Sequence, residues 1–337
     1  MDPILRVLVC GTGYGATYLQ ALWNHDSRLR LAGILARGSE RSRALARQWD
    51  VPLWHSAEEV PESGGKAIDL ACVAVGGPAG TALTLALLRR GVHVLAEHPV
   101  APEEMAAALA AAREHGAIYH VNAHYADLET VAPFLTTAAA CRRRSPPLFI
   151  TAATNPRALY SCVELIGRLL ETLEPCAFQA AGEEVRGPLA VVNGTAGGVP
   201  ILVECQRLVT AEDDGSCVWA SHQVKAGFAE GTLMLAETAG PVLWVPASPS
   251  TAELAAPGAA DRLACPSWSL LSGPPPATGD FLFRLRDRAN RLALRRIAEQ
   301  VRTGRASSEQ SETHLLAVSR AWSAILSCVG PLEVVGS

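Results

Sequence analysis

Residues 6–22 place the strongest constraint on the fold of this chain. They read RVLVCGTGYGATYLQAL, in which a short apolar strand runs into glycines and then into a helix. Three small residues are spaced as in a dinucleotide-binding turn: the first allows the tight turn, the second leaves room for a phosphate, and the third lets helix and strand pack closely. These positions hold Gly11, Gly13 and Ala16, with Gly15 as an additional glycine.

This turn predicts a pyrophosphate site at the start of the first helix, where free backbone N–H groups attract anions. An ordinary strand–turn–helix is the alternative interpretation of the same residues. The residues of the turn predicted to contact a dinucleotide are Gly11, Thr12, Gly13, Tyr14 and Gly15.

The end of the second predicted strand, Arg30–Ala36, indicates which dinucleotide is bound. An NAD-binding domain places a carboxylate there to accept hydrogen bonds from the ribose hydroxyls, but this chain has no acidic residue at that point. Guanidinium groups and hydroxyls follow instead, and they suit the 2′-phosphate of NADP(H). The predicted contacts are Ala36, Arg37, Ser39, Arg41, Ser42 and Arg43. Alternatively, these arginines form a solvated helix face on which Glu40 pairs with one of them.

Strand and helix patterns alternate after this point, as expected for parallel strands joined by crossovers. The predicted strands are Leu70–Val75, His93–Glu97 and Ile118–Asn122, and the predicted helices are Gly80–Arg90 and Pro102–His115. Gly76 and Gly77 follow a strand, so the backbone there is predicted to approach the cofactor. Residues 1–122 therefore predict an α/β domain with a doubly wound parallel sheet of the Rossmann type.

Residues 123–337 show a different pattern, which predicts a second, α+β domain. A helix at about 127–141 is followed by a strand from residue 148 and a helix at about 156–171. Successive strand patterns joined by short glycine-containing turns then indicate a large, mostly antiparallel open sheet. These patterns lie at 179–185, 189–194, 199–208, 218–226, 231–238 and 242–245.

The remaining residues divide into one irregular segment and two helices. Residues 246–279 are rich in Pro, Ala, Ser and Gly and show no sustained period, which predicts an irregular connector or lid. Helices are predicted at about 280–303 and 308–328, and the apolar stripe of the second is typical of packing.

Composition limits the class of protein. The chain has 337 residues, of which 49% are hydrophobic and 18% charged, enough for two globular domains. A net charge of −4 gives no general basic field for nucleic acid. No apolar run reaches the roughly 18–20 residues that span a bilayer, and the beginning of the chain lacks the pattern of a signal peptide. Nine cysteines without CxxC spacing predict reduced thiols, and we expect a cytoplasmic protein.

The order of these domains resembles the glucose-fructose oxidoreductase/inositol dehydrogenase/MocA superfamily. In that superfamily the strand at this place ends in Glu-Lys-Pro, whereas here it ends in Glu97-His98-Pro99. The lysine is a usual proton-transfer group in the sugar dehydrogenases. Their Asp-x-x-x-His pair is also missing from the helix that reads RALYSCVELIGRLL.

These departures fit one branch, and the chain is similar to the thiazolinyl imine reductases of yersiniabactin and pyochelin assembly. The resemblance rests on the glycine turn, LARGSERSR, GVHVLAEHP, and the segments NAHY at 122–125 and RALYS at 157–161. It implies that NADPH reduces the C=N bond of a thiazoline to a thiazolidine in siderophore biosynthesis. It also implies a nonribosomal peptide synthetase carrier or cyclisation module as partner. The superfamily resemblance implies a homodimer formed through the open sheet.

Such a reaction needs an oriented imine carbon and a proton donor for the nitrogen. His98 and Tyr125 are the candidate catalytic residues, because each follows the carboxyl end of a strand, where ligands collect in open α/β sheets. The alternatives are an imidazole bonded to backbone and a phenol held by packing. Water is a third candidate for the immediate donor. Glu97, His98 and Pro99 are predicted to lie beside the cofactor, with a structural role for Glu97 and a cis bond at Pro99 left open.

The predicted substrate contacts are less specific. They are Asn122, Arg157, Tyr160 and Ser161, and a cluster bonded to nearby carbonyls is an equal alternative for those at the helix start. His120, Asn122 and His124 alternate along one strand, but no further residues complete a ligand spacing, so no metal site is predicted. A sugar or polyol dehydrogenase and a non-catalytic NADP-binding regulator are the rival functions.

Overall fold

The computed structural model describes residues 4–23, 28–61, 67–182, 187–210, 220–255, 269–273 and 279–335. The chain divides into two compact units. Unit 1 contains Met1–His124 and Leu282–Ser319, and unit 2 contains Tyr125–Phe281 and Arg320–Ser337. The sequence placed a single boundary after residue 122, with everything beyond it in the second domain. The structure differs because a late segment, Leu282–Ser319, belongs with unit 1.

Unit 1 contains a six-stranded parallel sheet with the order β3-β2-β1-β4-β5-β6. The strands are β1 Leu5–Cys10, β2 Leu29–Leu35, β3 Leu53–Trp54, β4 Leu70–Val73, β5 His93–Glu97 and β6 Tyr119–Asn122. The helices between them are α1 Ala16–Trp23, α2 Glu40–Gln48, α3 Gly77–Arg89 and α4 Pro102–Glu114. This confirms the predicted doubly wound parallel sheet.

The central strands are apolar almost throughout because helices cover both faces of such a sheet. All four residues of β4 are buried, and Val7, Val9 and Leu70 are completely so. A helix from the end of the chain, α8 Gly279–Thr303, adds Ala293, Leu294 and Ile297 to the same hydrophobic cluster. This packing explains why a distant segment belongs to unit 1.

Unit 2 contains an eight-stranded sheet with the order β15-β14-β13-β12-β7-β10-β9-β8. Its strands are β7 Phe149–Thr154, β8 Cys176–Ala180, β9 Leu189–Ala196, β10 Val199–Gln206, β12 Gln223–Phe228, β13 Gly231–Leu235, β14 Val242–Pro246 and β15 Ser269–Ser272. All neighbouring pairs are antiparallel except β7 and β10. The predicted, mostly antiparallel sheet is confirmed. A small parallel pair joins β11 Leu208–Thr210 to β16 Glu333–Val335.

The helices of unit 2 include α5 Ala132–Arg142 and the buried α6 Leu159–Leu170. Helix α9, Glu312–Val329, begins in unit 1 and ends in unit 2. The buried residues of its predicted apolar stripe are Leu315, Val318, Ala321 and Ile325. The segment at 246–279 is more regular than predicted, because it contains α7 Thr251–Ala255 and strand β15, which pairs with β14. Residues 256–268 and 274–278, where the rest of the connector or lid was predicted, lie outside the described residues.

The described cysteines are all free thiols, and five of these seven are buried. This agrees with the expectation of reduced thiols for that part of the chain. Among the described helices, none combines the length and apolarity that a bilayer span requires.

Candidate active site

The glycine turn between β1 and α1 has an open side and a closed side. A Cβ at Gly15 would lie 2.1 Å from the carbonyl oxygen of Gly11, and Gly11 itself has a φ of +87° with Ala74 O 2.6 Å from its Cβ position. A Cβ at Gly13 would meet no atom within 4 Å. The chain itself therefore requires glycine at positions 11 and 15, whereas the space at Gly13 is open, as a pyrophosphate would need. The sequence pattern identifies Gly15 only as an additional glycine, but the structure shows that the turn requires glycine there.

Several arginine side chains follow the end of β2. Arg37, Arg41 and Arg43 are exposed around the start of α2. Ser39 is also exposed and caps α2 by accepting a hydrogen bond from the backbone N–H of Ser42, 3.2 Å away. This arrangement suits a phosphate at a helix N-terminus.

Ser42 does not support its predicted role as a phosphate contact. Its side chain is completely buried, and its hydroxyl donates to the carbonyl oxygen of Ser39 at 2.8 Å, so it stabilises the helix start instead.

His55 also lies at the end of β2, and the sequence did not indicate it as part of this site. Its Nδ1 lies 3.0 Å from the carbonyl oxygen of Ala36, and it follows β3, a strand of only two residues that gives no pattern to detect.

The turn between β4 and α3 is also open. Gly76 is the N-cap of α3, Gly77 follows with a φ of +65°, and a Cβ on either glycine would meet no atom within 4 Å. Gly80 packs so tightly that its Cβ would lie 1.8 Å from the carbonyl oxygen of Val75. The two predicted glycines therefore border free space at the carboxyl edge of the sheet, and the residues fit a dinucleotide there.

His98 lies at the carboxyl end of β5, and the bond to the exposed Pro99 is cis. The Nδ1 of His98 is 2.8 Å from the carbonyl oxygen of Asn122 at the end of β6. Since a carbonyl only accepts, this contact assigns the proton to Nδ1 and leaves Nε2 as the acceptor of the neutral ring. The side chain is 9% exposed, so the ring is held in one orientation with a small accessible edge.

Glu97 occupies a buried polar network next to His98. Its carboxyl accepts hydrogen bonds from the Tyr18 hydroxyl and from Asn122 Nδ2 at 3.1 Å. Burial raises the pKa of Glu97 to about 7, although these two hydrogen bonds oppose the shift. Its Oε2 lies 3.9 Å from Nδ1 of His98. Glu97 can therefore hold or release a proton near neutral pH beside the candidate catalytic imidazole.

Asn122 belongs to this network and is 2% exposed. Its Nδ2 lies 2.6 Å from the Tyr18 hydroxyl and 2.9 Å from Oδ1 of Asn290, and Asn290 in turn donates to Thr17 at 3.0 Å. The predicted contact between Asn122 and substrate is not supported, because the side chain links α1, β6 and α8 below the surface. Asn122 instead positions Glu97 through its side chain and His98 through its backbone carbonyl.

His124 lies beyond the end of β6 and is 1% exposed. The Tyr14 hydroxyl is 3.2 Å from its Nδ1, and the two rings stack with centroids 5.9 Å apart. Ligating atoms of Glu97, His98 and His124 lie within 4.8 Å of one another, a grouping that the sequence did not predict. The hydrogen bonds of His98 Nδ1 and of one Glu97 carboxyl oxygen fix both side chains, so this grouping can accept and pass on a proton.

His120, which the sequence considered with His124, has a structural role. It is 1% exposed, its Nε2 lies 2.6 Å from Oε1 of Gln300 on α8, and burial lowers its pKa to about 4. A neutral, buried imidazole of this kind links β6 to α8.

The remaining predicted residues lie in unit 2. Tyr125 is half-buried in a 3₁₀ turn, His124–Asp127, and its ring centroid is 4.4 Å from that of His222. Arg157 is exposed just before α6. The sequence did not indicate His222, because a single histidine within the predicted strand at 218–226 carries no recognisable pattern.

Tyr160 and Ser161 do not support their predicted contacts with substrate. Tyr160 is 1% exposed and packs edge-on against Trp322, with ring centroids 5.7 Å apart. Ser161 is completely buried, and its Oγ lies 2.7 Å from Nε2 of His222. Both residues belong to α6, which is buried along nearly its whole length, whereas Arg157 precedes the helix.

Two family comparisons cover most of this architecture. Residues 5–123 match the GFO/IDH/MocA family, described as an oxidoreductase family with an NAD-binding Rossmann fold. Residues 145–245 match the C-terminal domain of Irp3-like thiazolinyl imine reductases. The N-terminal domain belongs to the GFO/IDH/MocA oxidoreductase family, and an Irp3-like C-terminal domain follows it. This confirms the predicted superfamily. No curated protein sequence matches the chain significantly.

Solved structures share the fold of this chain. An oxidoreductase from Agrobacterium radiobacter, in complex with NAD+, L-tartaric acid and magnesium, has a TM-score of 0.70 at 11% identity, over 96% of each chain. The WlbA dehydrogenase from Bordetella pertussis, in complex with NADH and UDP-GlcNAcA, has a TM-score of 0.70 at 14% identity, over 98% of this chain and 96% of that one. GenD2 of gentamicin A biosynthesis, in complex with NAD, has a TM-score of 0.69 at 17% identity, over 98% and 95%.

Proposed function

We propose that this oxidoreductase is an NADPH-dependent thiazolinyl imine reductase. It reduces the C=N bond of a thiazoline, held on a nonribosomal peptide synthetase carrier, to a thiazolidine during siderophore biosynthesis. The observation that carries this proposal is the match of residues 145–245 to the Irp3-like domain in a chain whose β5 ends in Glu97-His98-Pro99. The substitution of histidine for the lysine expected in sugar dehydrogenases favours a different acid–base chemistry.

The preference for NADPH rests on charge at the end of β2. Arg37, Arg41 and Arg43 are exposed there without a carboxylate at the strand end to accept ribose hydroxyls. The named complexes of structural neighbours with NAD or NADH support a nicotinamide cofactor in general. When bound along Gly13, Gly76 and Gly77, this cofactor supplies the hydride that the imine carbon accepts.

His98 supplies a proton to the imine nitrogen in this proposal. Its Nδ1 proton is committed to the carbonyl oxygen of Asn122, so the ring acts as an acid only after Nε2 is protonated. The imidazolium then keeps its orientation, because Nδ1 still donates to the same carbonyl. Glu97, 3.9 Å from Nδ1, stabilises that cation when its own carboxyl is ionised. Tyr125 is the second candidate donor, and water is the third.

The setting of the reaction is part of the same proposal. We expect a carrier or cyclisation module as the partner that presents the substrate, a homodimer, and a cytoplasmic location that keeps the thiols reduced. Arg157, exposed ahead of α6, is a second residue of unit 2, in addition to Tyr125, that we expect to contact the substrate or its phosphopantetheine tether.

The test is NADPH oxidation with an aryl-thiazoline thioester, compared with NADH and with a panel of sugars. We expect turnover of the thiazoline and a preference for NADPH of about tenfold or more, because one hydrogen bond to a charged group contributes about 1.5–3 kcal/mol. Arg41→Ala should reduce this preference, whereas Arg47→Ala, at the exposed far end of the same helix, should leave it unchanged.

Turnover of sugars without turnover of the thiazoline would contradict the assignment and favour the rival dehydrogenase. Tight NADPH binding with no turnover of any substrate would favour the non-catalytic regulator. Equal use of NADH and NADPH would contradict the argument from the arginines alone.

A further inference from the structure

A chain of hydrogen bonds in unit 2 lies behind Tyr125. The Ser161 Oγ is 2.7 Å from Nε2 of His222, the Nδ1 of His222 is 2.8 Å from the Thr238 hydroxyl, and that hydroxyl is 2.9 Å from Oε1 of Glu237. We refer to these four residues as the His222 chain. They meet because β12 and β13 pair with Val224 opposite Leu235, which brings the residues before β12 beside those after β13.

The ionisation state of Glu237 determines which group donates in each hydrogen bond of the His222 chain. Burial alone would raise the pKa of Glu237, but the backbone N–H groups of Thr238 and His222, with the Thr238 hydroxyl, lower it below its ordinary value. Glu237 is therefore a carboxylate and the Thr238 hydroxyl donates to it. The Thr238 oxygen then accepts from Nδ1 of His222, which leaves Nε2 as the acceptor.

The other end of the chain is consistent with this assignment. Ser161 Oγ lies 2.9 Å from the carbonyl oxygen of Ala158 as well as 2.7 Å from Nε2 of His222. The Ala158 carbonyl also accepts the backbone N–H of Cys162 at 2.8 Å. Because Nε2 of His222 carries no proton in this tautomer, the Ser161 hydroxyl is the donor of the Ser161–His222 pair. The protons thus run from Ser161 through His222 and Thr238 to Glu237.

A serine, a histidine and an acid in this order resemble the arrangement of a hydrolase nucleophile. Burial argues against that use, because Ser161 is completely buried within α6 and no substrate carbonyl reaches its Oγ. Within the His222 chain, the imidazole of His222 is the group that contacts Tyr125, a candidate proton donor. Its ring centroid lies 4.4 Å from that of Tyr125, and the two planes are inclined by 31°.

Helix α6, which carries Ser161, also holds the turn that contains Tyr125. Asp127, in the same 3₁₀ turn, pairs with Arg168, which also pairs with Glu164. These three side chains are 5%, 13% and 6% exposed, so the pairs are shielded from solvent. Residues 161, 164 and 168 share one face of α6 by their spacing. One helix face therefore holds both the turn that carries Tyr125 and the imidazole against which its ring packs.

We propose that His222 is a positioning residue, whose single tautomer and fixed ring plane orient the phenol of Tyr125 for the reaction. This inference rests on the proposed function, in which Tyr125 is a candidate proton donor. An offset aromatic pair contributes only about 0.5–1.5 kcal/mol, which is small for stability but sufficient to select one ring orientation. Misplacement of a reacting group by about 1 Å can reduce the rate about a hundredfold.

The first test observes Tyr125 directly. The chain has five tyrosines, so selective isotope labelling of tyrosine gives a small set of NMR signals, and Tyr125→Phe identifies the one of interest. His222→Asn should shift the Tyr125 ring signals towards exposed values, because the stacked imidazole is lost. His115→Asn makes the same chemical change at an exposed site of unit 1 and should leave the signals in place. Unchanged Tyr125 signals in His222→Asn would overturn the inference.

The second test uses Thr238, which can be changed without removing either ring. Thr238→Val removes the side-chain link from the His222 imidazole to Glu237, and Thr238→Ser restores a hydroxyl at the same place. We expect kcat for the thiazoline to fall about tenfold or more in Thr238→Val with KM within about twofold, and to recover in Thr238→Ser. Equal kcat in all three proteins would overturn the inference.

The two proposals fail separately. If the wild-type chain does not reduce the thiazoline, the proposed function fails, while the tyrosine signals of His222→Asn still decide whether His222 orients Tyr125. If the thiazoline is reduced but neither the signals nor kcat respond to changes in the His222 chain, only the positioning role fails.

Discussion

Two buried side chains of unit 1 respond to pH in opposite directions. Burial raises the pKa of Glu97 to about 7, so the folded chain holds a proton that an unfolded carboxyl loses near its ordinary value of 4.5. Burial lowers the pKa of His120 from 6.5 to about 4, so the folded chain rejects a proton that an unfolded imidazole takes up. Their effects overlap between about pH 4.5 and 6.5 and partly cancel, so only a variant separates them.

Glu97→Gln should change the pH dependence of stability. Between about pH 4.5 and 7 the folded wild type binds more protons at this site than the unfolded chain, so the contribution of Glu97 to the free energy of unfolding falls as pH rises. Glu97→Gln has no carboxyl to titrate at this site, so its free energy of unfolding does not fall for this reason. Its stability relative to wild type should increase by up to about 3 kcal/mol across that window, measured by urea unfolding at a series of pH values. Parallel pH profiles would contradict the raised pKa.

Two neighbouring glycines should respond differently to alanine. At Gly15 a Cβ would lie 2.1 Å from the carbonyl oxygen of Gly11, so Gly15→Ala should lower the free energy of unfolding. At Gly13 a Cβ would meet no protein atom within 4 Å, so Gly13→Ala should fold normally but bind NADPH more weakly. Denaturant unfolding and NADPH titration of both variants give the comparison. Unchanged NADPH affinity in Gly13→Ala would place the pyrophosphate elsewhere.

At the scale of single elements, α8 is the part of the chain that most alters the predicted organisation. It comes after the eight-stranded sheet of unit 2 in sequence, yet Leu294 and Ile297 are completely buried in the unit 1 cluster. Asn290 on the same helix reaches the network around Glu97 through Asn122, at 2.9 Å. The helix therefore both covers the sheet and supports the candidate catalytic residues.

Leu294→Ala should destabilise the protein strongly. Removal of a completely buried leucine leaves a cavity and costs about 2–5 kcal/mol. Arg295→Ala, at the next position on the exposed side of α8, should change the free energy of unfolding by no more than about 0.5 kcal/mol. Thermal or denaturant unfolding of both variants measures the difference. Similar, small effects in both would mean that α8 does not contribute to the core.

At the scale of the whole molecule, each unit is assembled from segments that are distant in sequence. Unit 1 needs Leu282–Ser319 in addition to the first 124 residues, and unit 2 is completed by Arg320–Ser337. Local patterns do not report such assembly, because an amphipathic helix shows that it has an apolar face but not which core that face joins.

A fragment of residues 1–124 should therefore fail to fold cooperatively. Without α8 it exposes the apolar surface that Ala293, Leu294 and Ile297 cover. We expect little near-ultraviolet circular dichroism and no sharp thermal transition from the fragment alone. Addition of a peptide of residues 279–319 should restore both. A fragment that melts as sharply without the peptide would contradict the assignment of this segment to the unit 1 core.

The sequence by itself determined the parallel and antiparallel sheets, the glycine turn and the basic end of β2. These features depend on short-range periodicity and on residues adjacent in the chain, and the bounds of β5 agree exactly with the prediction. The two-residue β3 and the edge strand β15 did not show such periodicity, because each is stabilised by pairing with a longer neighbour.

Only the tertiary structure decided which polar side chains are exposed. Arg157 and Ser161 lie on one short segment, yet one faces outward and the other is completely buried against His222. Glu97 and Asn290 lie far apart in the chain, and both hydrogen-bond to the side chain of Asn122. Long-range packing sets burial, hydrogen-bond partners and therefore pKa, so these properties of the candidate site follow from the folded chain and not from its local sequence.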